Sequence, residues 1–436
     1  MKQLFLSALT LLTTSSLAVA EANFSHFRGD NHDGIAVNES NLLRAWPKEG
    51  LKELWRTELG GGYGSGVIHD EKVYVLDYEK VKNKGHDLVR AFDLDTGNEL
   101  WRCSYDGLSA NKGSRANPTV NENHVVSLGS GGIVSCIERK TGKLAWTIDL
   151  VKGYGLKIHM HEGNRLSAYG VAQSPLIDDD SVVIATGTPK ALMIKVELAT
   201  GKILWSLDNP KQWTMSHTSI TPFTFHGQKQ YVYSSFHGIV SVSADGKILW
   251  EYPEWRARVQ YEKEPPEHSV HLSLIPSPVV IGEDKLFFCA QHKNNGSMML
   301  QLTQAENGNI ETKQLFHVPR MGSIIPTPIY FNGRLFGSET GKAFTCMSLD
   351  GKMIWNQKGL GQWPFLIADS MIYILDQHAK LYLLDATALE YKELAAWQIP
   401  FEGRKYYDAA SWSPMTMSNG RLILRLGDEL VCLLVK

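Results

Sequence analysis

Seven residues in predicted loops carry side chains suited to binding or chemistry, and we call them the funnel residues. Each precedes a predicted strand and is polar or aromatic: Arg115, Asn117, Tyr169, Gln173, His217, His271 and Trp412. An arginine can pair with an anionic group through charge-assisted hydrogen bonds, and a histidine can act as a base or as a metal ligand. Two interpretations stay open: the side chains converge on a ligand, or they are solvated loop residues and hydrogen bonds that fill a channel.

Two histidine pairs, His159-Met-His161 and His268-Ser-Val-His271, have spacings that zinc or copper sites use. A third ligand would have to come from elsewhere in the chain, such as His217 or Glu162. Histidine pairs are also common on surfaces without a metal. We therefore assign no metal site.

Motifs of several enzyme classes are missing from the sequence. It contains no Gly-x-Ser-x-Gly elbow, no phosphate-binding loop and no dinucleotide fingerprint. The run Gly60-Gly61-Gly62 is not followed by a predicted helix, so it does not indicate phosphate binding. The catalytic residues, if there are any, remain unassigned.

The amino-acid composition limits the classes of partner that the protein is expected to bind. Hydrophobic residues make up 43% of the chain and charged residues 21%, which is typical of a globular protein. The formal net charge is -2, so the basic face of a nucleic-acid-binding protein is not expected. After the N-terminus no run of 18 apolar residues occurs, so we predict no transmembrane segment.

The N-terminus resembles a secretory signal peptide. Lys2 is followed by an apolar run from Leu4 to Leu12, and the small residues Ala18-Val19-Ala20 precede Glu21. We predict cleavage near Ala20 and a periplasmic or secreted protein. The predicted organisation is a signal peptide over residues 1–20, a leader over 21–50 and a repeat domain over 51–436.

An internal repeat dominates that domain. Full copies are Ala91–Trp101, Cys136–Trp146 and Lys195–Trp205, and shorter copies are Ser241–Trp250 and Cys346–Trp355. In each copy an alternating strand reaches a Thr-Gly or Asp-Gly turn, and a second strand carries the Trp. The pattern predicts repeated hairpins. The large Trp is expected to fill the gap between adjacent sheets.

Upstream of each hairpin, a proline-led strand and a second strand complete a unit of about 40–45 residues with four strands, which is typical of a propeller blade. Eight positions mark the fourth strands: Trp55, Trp101, Trp146, Trp205, Trp250, Phe316, Trp355 and Trp397. We therefore predict an all-β, eight-bladed β-propeller of four-stranded antiparallel blades. Seven blades is the alternative if the degenerate copy from Gln301 to Phe316 is misread.

The last unit, residues 413–436, has only three predicted strands. Leu51–Thr57 reads as a fourth strand without the preceding three. We predict that this N-terminal strand closes the last blade and leaves no open edge in the ring.

Five cysteines are present, and none forms a Cys-x-x-Cys pair. Cys136, Cys346 and Cys432 share one position in the predicted third strand. We interpret them as core thiols, since buried cysteine behaves as a small hydrophobe.

The repeat resembles that of the pyrroloquinoline-quinone-like propeller family, whose hallmark Asp-x-x-Thr-Gly-x-x-x-Trp stands at Asp93–Trp101. The similarity covers residues 51–436. The opening Phe27-Arg28-Gly29-Asp30, followed by Asp33-Gly34-Ile35, resembles the leader of exported bacterial members. The family includes quinone-dependent dehydrogenases, a lipoprotein of outer-membrane assembly and many proteins without an assigned role, so the resemblance implies the fold more strongly than a reaction.

The sequence departs from the dehydrogenases, which carry adjacent cysteines and a calcium-binding carboxylate set. No two cysteines are adjacent here, so pyrroloquinoline quinone is implied as a cofactor by resemblance alone. We expect an exported ligand- or protein-binding scaffold of the bacterial envelope, with envelope proteins or a small-molecule or carbohydrate ligand as partners. A quinone- or metal-dependent oxidoreductase with its site in the channel mouth is the alternative. A hydrolase or lyase of extracellular polymers is a third class.

Overall fold

The computed structural model describes residues 23–82, 84–107, 113–158, 170–255, 274–290, 296–323, 325–339, 343–401 and 412–436. The predicted signal peptide lies outside these residues. In the described ranges, no helix is both long and apolar enough to span a membrane. The chain forms eight sheets of mostly antiparallel strands, so the predicted eight-bladed propeller is confirmed.

Two strands precede the first complete blade, β1 (Ile35–Ala36) and β2 (Lys52–Glu58). Blade 1 contains β3 (Gly66–His69), β4 (Lys72–Val81), β5 (Lys84–Asp93) and β6 (Glu99–Asp106). Blade 2 contains β7 (Thr119–Val120), β8 (His124–Leu128), β9 (Ile133–Glu138) and β10 (Leu144–Asp149). Blade 3 contains β11 (Leu176–Asp178), β12 (Ser181–Ala185), β13 (Met193–Glu197) and β14 (Ile203–Leu207). Blade 4 contains β15 (Thr221–Phe225), β16 (Gln228–Ser235), β17 (Gly238–Ser243) and β18 (Ile248–Tyr252).

Blade 5 contains β19 (Val279–Ile281), β20 (Lys285–Ala290), β21 (Gly296–Gln304) and β22 (Ile310–Val318). Blade 6 contains β23 (Ile329–Phe331), β24 (Arg334–Glu339), β25 (Ala343–Ser348) and β26 (Met353–Lys358). Blade 7 contains β27 (Phe365–Ala368), β28 (Met371–Leu375), β29 (Lys380–Asp385) and β30 (Glu393–Gln398). Blade 8 contains β31 (Thr416–Ser418), β32 (Arg421–Leu426) and β33 (Glu429–Leu434). A short helix α1 (Leu150–Tyr154) follows blade 2, and a 3-10 turn (Pro253–Trp255) follows blade 4.

Burial follows the position of a strand in its blade. All five residues of β12 are buried, because neighbouring blades cover both faces of an inner strand. The outer strand β14 alternates between half-buried and exposed residues, because one of its faces meets solvent. Hydrophobic residues therefore collect in the seams between blades.

The N-terminal strand closes the ring. β2 pairs antiparallel with β33 and supplies the fourth strand of blade 8, with Trp55 opposite Cys432. Arg425 of blade 8 then spans the seam and donates hydrogen bonds to the carbonyls of Gly60 at 2.9 Å and Gly64 at 3.0 Å. Its guanidinium also meets the buried carboxylate of Asp77 in blade 1. The predicted closure is confirmed.

Four tryptophans bind one blade to the next in the same way. In each case the indole N–H donates to a backbone carbonyl of the following blade, and the ring lies on the glycine of that blade's hairpin turn. The hydrogen bonds are Trp55 to Leu94 at 2.8 Å, Trp101 to Arg139 at 3.0 Å, Trp146 to Leu198 at 2.7 Å and Trp205 to Ala244 at 3.0 Å. The glycines are Gly97, Gly142, Gly201 and Gly246. The expected role of Trp between sheets is thus observed.

The contact weakens where the next blade has a degenerate turn. Trp250 precedes blade 5, and its indole N–H bonds within its own blade to Gln230 at 2.9 Å. Trp355 precedes blade 7, whose turn lacks the glycine, and its indole nitrogen has no hydrogen-bond partner in the described part of the chain. The turn sequence therefore decides whether the indole can reach across the seam.

A register shift before the aromatic position recurs in the fourth strands. In blade 1, for example, Ala91 faces Trp101 while Phe92 faces Glu99, so Leu100 is bulged. In blade 7 the shift falls between the partners of Leu383 and Leu384, which places Ala395 at the aromatic position. Trp397 lies in the fourth strand, as predicted, but it faces Leu381 and stands two residues beyond the position equivalent to the other aromatic residues.

The cysteines occupy the predicted core slot. Cys136, Cys346 and Cys432 lie opposite Trp146, Trp355 and Trp55. All five cysteines are buried and unpaired. Burial raises the pKa of Cys136 and of Cys432 to about 12, which keeps these thiols protonated at neutral pH.

A pair of glycine substitutions tests the Trp contact. A Cβ on Gly142 would lie 2.7 Å from the Trp101 ring, whereas a Cβ on Gly308 in the degenerate turn of blade 5 meets nothing within 4 Å. Both glycines have positive φ, +70° and +83°, so both substitutions introduce comparable backbone strain. We expect Gly142→Ala to lower the free energy of unfolding by about 1–3 kcal/mol more than Gly308→Ala.

Urea denaturation of the two variants and the parent measures this difference. Equal losses would mean that the turn glycine serves backbone geometry alone and not the contact with the neighbouring blade.

Candidate ligand cup in the channel

Hydrogen bonds between blades align the loops at one end of the channel, which we call the mouth. A residue one or two positions before an inner strand donates its backbone N–H to a side-chain oxygen at the equivalent position of the next blade. The bonds are Ser65 to Asn117 at 3.1 Å, and Asn117 to Ser174, Ser174 to Ser219, Ser219 to Ser277 and Ser277 to Thr327, each at 3.0 Å. We call these six residues the belt; it holds the starts of six inner strands in register.

The belt also corrects one detail of the repeat. Ser219-Ile220 in blade 4 stands where Ser174-Pro175 stands in blade 3. Pro222 therefore lies inside β15 and not in front of it. This is tolerated because β15 is the innermost strand and lacks a partner on its channel side.

The leader enters the channel from the end opposite the mouth. Phe24 and Ile68 of blade 1 exchange backbone hydrogen bonds of 2.8 and 2.9 Å. The Val120 N–H of blade 2 donates to the carbonyl of Ser25 at 3.0 Å. His26 then meets the hydroxyl of Thr119. The leader thus pairs with the inner strands of the first two blades.

The same segment crosses to the other side of the ring. The Arg28 guanidinium donates to the carbonyl of Pro328, before blade 6, at 2.8 Å. The carbonyl of Gly34 accepts the N–H of Ile367 in blade 7 at 3.1 Å, and β1 continues as a parallel fifth strand beside β27. We call residues 24–36 the plug, because they fill the channel between opposite blades.

A cavity of about 380 Å³ lies between the plug and the mouth, and we call it the cup. Its floor includes Phe24, Phe27 and Arg28 of the plug, and its rim includes Tyr63, Arg115 and Trp412. Most of the remaining wall is apolar, with Ile275, Ile325, Pro326, Ile329, Pro364, Phe365, Leu366, Pro414 and Met415. Among the lining residues that the structure describes, the only carriers of formal charge are the two arginines, and none carries a carboxylate.

Arg28 is a buried cation in the floor. It is 9% exposed, and its Nη2 donates to the carbonyls of Asp33 at 2.9 Å and Pro328 at 2.8 Å. Its Nη1 is buried and has no hydrogen-bond partner among the described residues. Burial lowers the pKa of Arg28 to about 10, so the guanidinium remains protonated at neutral pH.

The rim presents an aromatic and cationic cluster. The guanidinium carbon of Arg115 lies 5.1 Å from the centre of the Tyr63 ring, within the range of a cation–π contact. The Tyr63 and Trp412 rings stack with their centres 5.9 Å apart. Trp412 is 48% exposed, although it is large and apolar. Arg115 Nη1 also donates to the carbonyl of Gly113 at 3.0 Å.

The loop of Arg115 is anchored from below. The Ser114 hydroxyl donates a short hydrogen bond to the buried carboxyl of Asp87 in blade 1. Burial raises the pKa of Asp87 to about 7, while the Ser114 hydrogen bond opposes the shift. This anchor fixes the backbone next to Arg115.

The structure brings four of the seven funnel residues to one cavity: Arg115, Asn117, His217 and Trp412 line the cup. Gln173 is buried, and its side-chain oxygen accepts the N–H of Ala185 at 3.0 Å, so it supports blade 3. Tyr169 and His271 lie outside the described residues. The ligand-binding role of all seven funnel residues stays a prediction.

His217 is a neutral member of the cup. Burial and the nearby charge of Arg115 lower the pKa of His217 to about 4, and a hydrogen bond to the backbone of Gly170 opposes the shift. At neutral pH the imidazole is therefore uncharged, and the positive charge of the cup resides on the two arginines.

The sequence interpretation missed the floor of the cup. Phe24, Phe27 and Arg28 belong to the leader, which the repeat pattern does not include. The motif Phe27-Arg28-Gly29-Asp30 marked the leader as a distinct segment in the sequence. Its place in the channel follows only from the pairing of Phe24 with Ile68.

The side chains that line the cup can be compared with those that calcium and pyrroloquinoline quinone, the groups implied by the resemblance, would require. Calcium takes carboxylate and carbonyl oxygens, and the described lining of the cup offers no carboxylate. Nowhere in the described ranges do three His, Cys, Asp or Glu side chains come together as a metal site. The cup therefore does not fit a calcium–quinone pair. His159, His161, His268 and His271 lie outside the described residues.

Comparison with known proteins links the chain to bacterial propellers. Residues 85–331 match the family model PQQ_2, described as "Outer membrane protein assembly factor BamB". The protein of that name from Moranella endobia (strain PCIT) is 20% identical over 347 residues, which cover 77% of this chain and 69% of the relative.

Two solved structures share the fold. BamB from Moraxella catarrhalis has a TM-score of 0.55 at 11% identity and covers 88% of this chain and 99% of its own. The quinohemoprotein alcohol dehydrogenase of Comamonas testosteroni has a TM-score of 0.59 at 13% identity, and the match covers 94% of this chain and 80% of the dehydrogenase chain. At these identities the likeness concerns the fold alone.

The lowered pKa of His217 predicts an acid-dependent loss of stability. The unfolded histidine takes up a proton near pH 6.5 but the folded one only near pH 4, so folding stability is lost as the pH falls through this window. Between pH 7 and pH 5, we expect the unfolding free energy of the parent to fall by about 1–2 kcal/mol more than that of His217→Gln.

Urea denaturation at the two pH values gives the difference, with His226→Gln at an exposed position as the control. If His217→Gln and the parent lose the same free energy, the imidazole is not held neutral by burial.

Proposed function

The chain belongs to the family of PQQ-like propellers whose model is described as outer membrane protein assembly factor BamB, and from this we propose that it is a protein-binding scaffold of the bacterial envelope. Supporting the proposal, the match extends over residues 85–331, and the fold spans 99% of the solved BamB chain from Moraxella catarrhalis. The predicted signal peptide supports export, and the protein would act in the periplasm or outside the cell.

We propose the same domain bounds that the sequence predicts. Residues 1–20 would be removed, residues 21–50 would remain as leader and residues 51–436 would form the propeller. Retention of the leader is supported by the plug, whose hydrogen bonds to blades 1, 2, 6 and 7 would be lost without it.

The mouth is the face on which we place the partner. The observation that carries this choice is the cluster of Tyr63, Arg115 and Trp412, with nearly half of Trp412 exposed. Tyr, Trp and Arg are the residue types that dominate binding energy at protein interfaces. The residues belong to loops of blades 1, 2 and 8 that meet at the mouth.

Site-specific photocrosslinking in the source bacterium tests whether the partner binds at the mouth. A photoreactive phenylalanine analogue replaces Trp412 at the mouth or Leu389, a 75% exposed residue in the turn between β29 and β30. Because the strands of a blade alternate in direction, this turn lies on the face opposite the mouth. We expect a discrete envelope-protein adduct at position 412 and none at 389.

The adduct at 412 should disappear when Arg115→Ala is added, because the cluster loses its cation, and should persist with the distant Arg102→Ala. Adducts at 389 alone, or none at either position in correctly exported protein, would overturn the proposal of a mouth-facing partner.

A further inference from the structure

We propose that the cup is a binding site for a small apolar anion, a molecule with one carboxylate or sulfonate group on an aromatic or aliphatic body. This goes beyond the scaffold function, since neither the repeat nor the family match assigns a ligand to the plug. The proposal rests on the charges of the lining, the polar atoms of the belt and the volume above the plug.

Charge excludes a cation and favours an anion. Arg28 lies in the floor and Arg115 in the rim, and no carboxylate lines the described cup. Opposite charges attract more strongly in an apolar cavity than in water, since the effective dielectric constant is lower. A ligand that brings one negative charge would therefore bind more tightly than a neutral or cationic analogue.

Arg28 adds an independent observation. The buried Arg425 in the ring-closing seam meets the carboxylate of Asp77, whereas Arg28 donates only to carbonyl oxygens. Its second terminal nitrogen is buried without a partner in the described part of the chain. The nearby carboxylate of Asp33 favours the charged form of Arg28, and an anion in the cup would add a direct ion pair to the buried Nη1 at the floor.

The rest of the wall selects an apolar body. Phe24, Phe27, Phe365 and Leu366 face the cavity, and Trp412 stacks on Tyr63 at its rim. A volume of about 380 Å³ is within the range of small-molecule sites.

A carbohydrate fits the wall less well, because it needs many free hydrogen-bonding groups. Four lining polar residues are Asn117, Ser174, Ser219 and Thr327. The side-chain oxygen of each already accepts an N–H within the belt, so these residues offer a ligand mainly donors: their hydroxyl groups and the buried Nδ2 of Asn117. Donors suit an anionic acceptor group better than the mixed donors and acceptors of a carbohydrate.

Two fluorescent probes of similar shape test the proposal on the mature protein. One is the anion 8-anilinonaphthalene-1-sulfonate and the other is the uncharged N-phenyl-1-naphthylamine. We expect the anion to bind saturably at one site per chain, and at least about 10-fold more tightly than the neutral probe. Calorimetry gives the stoichiometry, and an unchanged melting temperature shows that the protein remains folded.

Variants locate the site. Arg115→Gln should weaken binding of the anion about 10-fold or more and leave binding of the neutral probe unchanged, because only the anion loses a charge-assisted hydrogen bond. Arg115→Lys should restore part of the affinity. The control Arg102→Gln, on an outer strand, should change neither probe. Met415→Trp should fill the cup and abolish both.

The proposal fails if the anion binds at many weak sites, if both probes bind equally, or if the folded Arg115→Gln and Met415→Trp proteins bind it like the parent. These outcomes do not depend on a protein partner. The proposal of an anion site in the cup can therefore be refuted while the scaffold function stands, and the scaffold function can be refuted while the anion site stands.

Discussion

The indole hydrogen bond between neighbouring blades is the contact that ties four of the eight seams of the ring in the same way. Trp55, Trp101, Trp146 and Trp205 each donate to a carbonyl of the next blade and cover its turn glycine. Because the contact repeats at one place in the blade, it holds each of these pairs of sheets together at equivalent positions. The closing contact of Arg425 with Asp77 completes the circle and prevents it from opening.

The fixed channel gives the leader its role. An innermost strand presents unpaired backbone groups to the channel, and such groups require partners. The plug supplies them at Ile68, Val120 and Ile367, three points around the ring. One end of the channel is thereby filled, and the remaining space becomes a cup whose floor carries Arg28. A segment outside the repeat thus forms the floor of a cavity in the repeat domain.

The sequence predicted those features that repeat. Thr-Gly turns and tryptophans gave the blades, and the unpaired strand at Leu51–Thr57 gave the closure, because both follow from local hairpin chemistry. Trp397 was placed in the right strand but two residues beyond the aromatic position, because blade 7 lacks the glycine that anchors the alignment. In the cup, Arg115, Asn117, His217 and Trp412 were found from their place before inner strands. Arg28 was not, because its position depends on pairing between residues far apart in the chain, which no periodicity reveals.

The central claim is that the leader fills the channel as part of the folded ring. Amide hydrogen exchange, measured by mass spectrometry on the mature protein, tests it directly. In the plug, the N–H groups of Phe24, Ser25, Gly29, His32 and Gly34 donate hydrogen bonds. The account predicts that peptides over residues 24–36 exchange as slowly as those of β3 and β27. Exchange of the leader at the rate of an unfolded chain, while both inner strands stay protected, would contradict it.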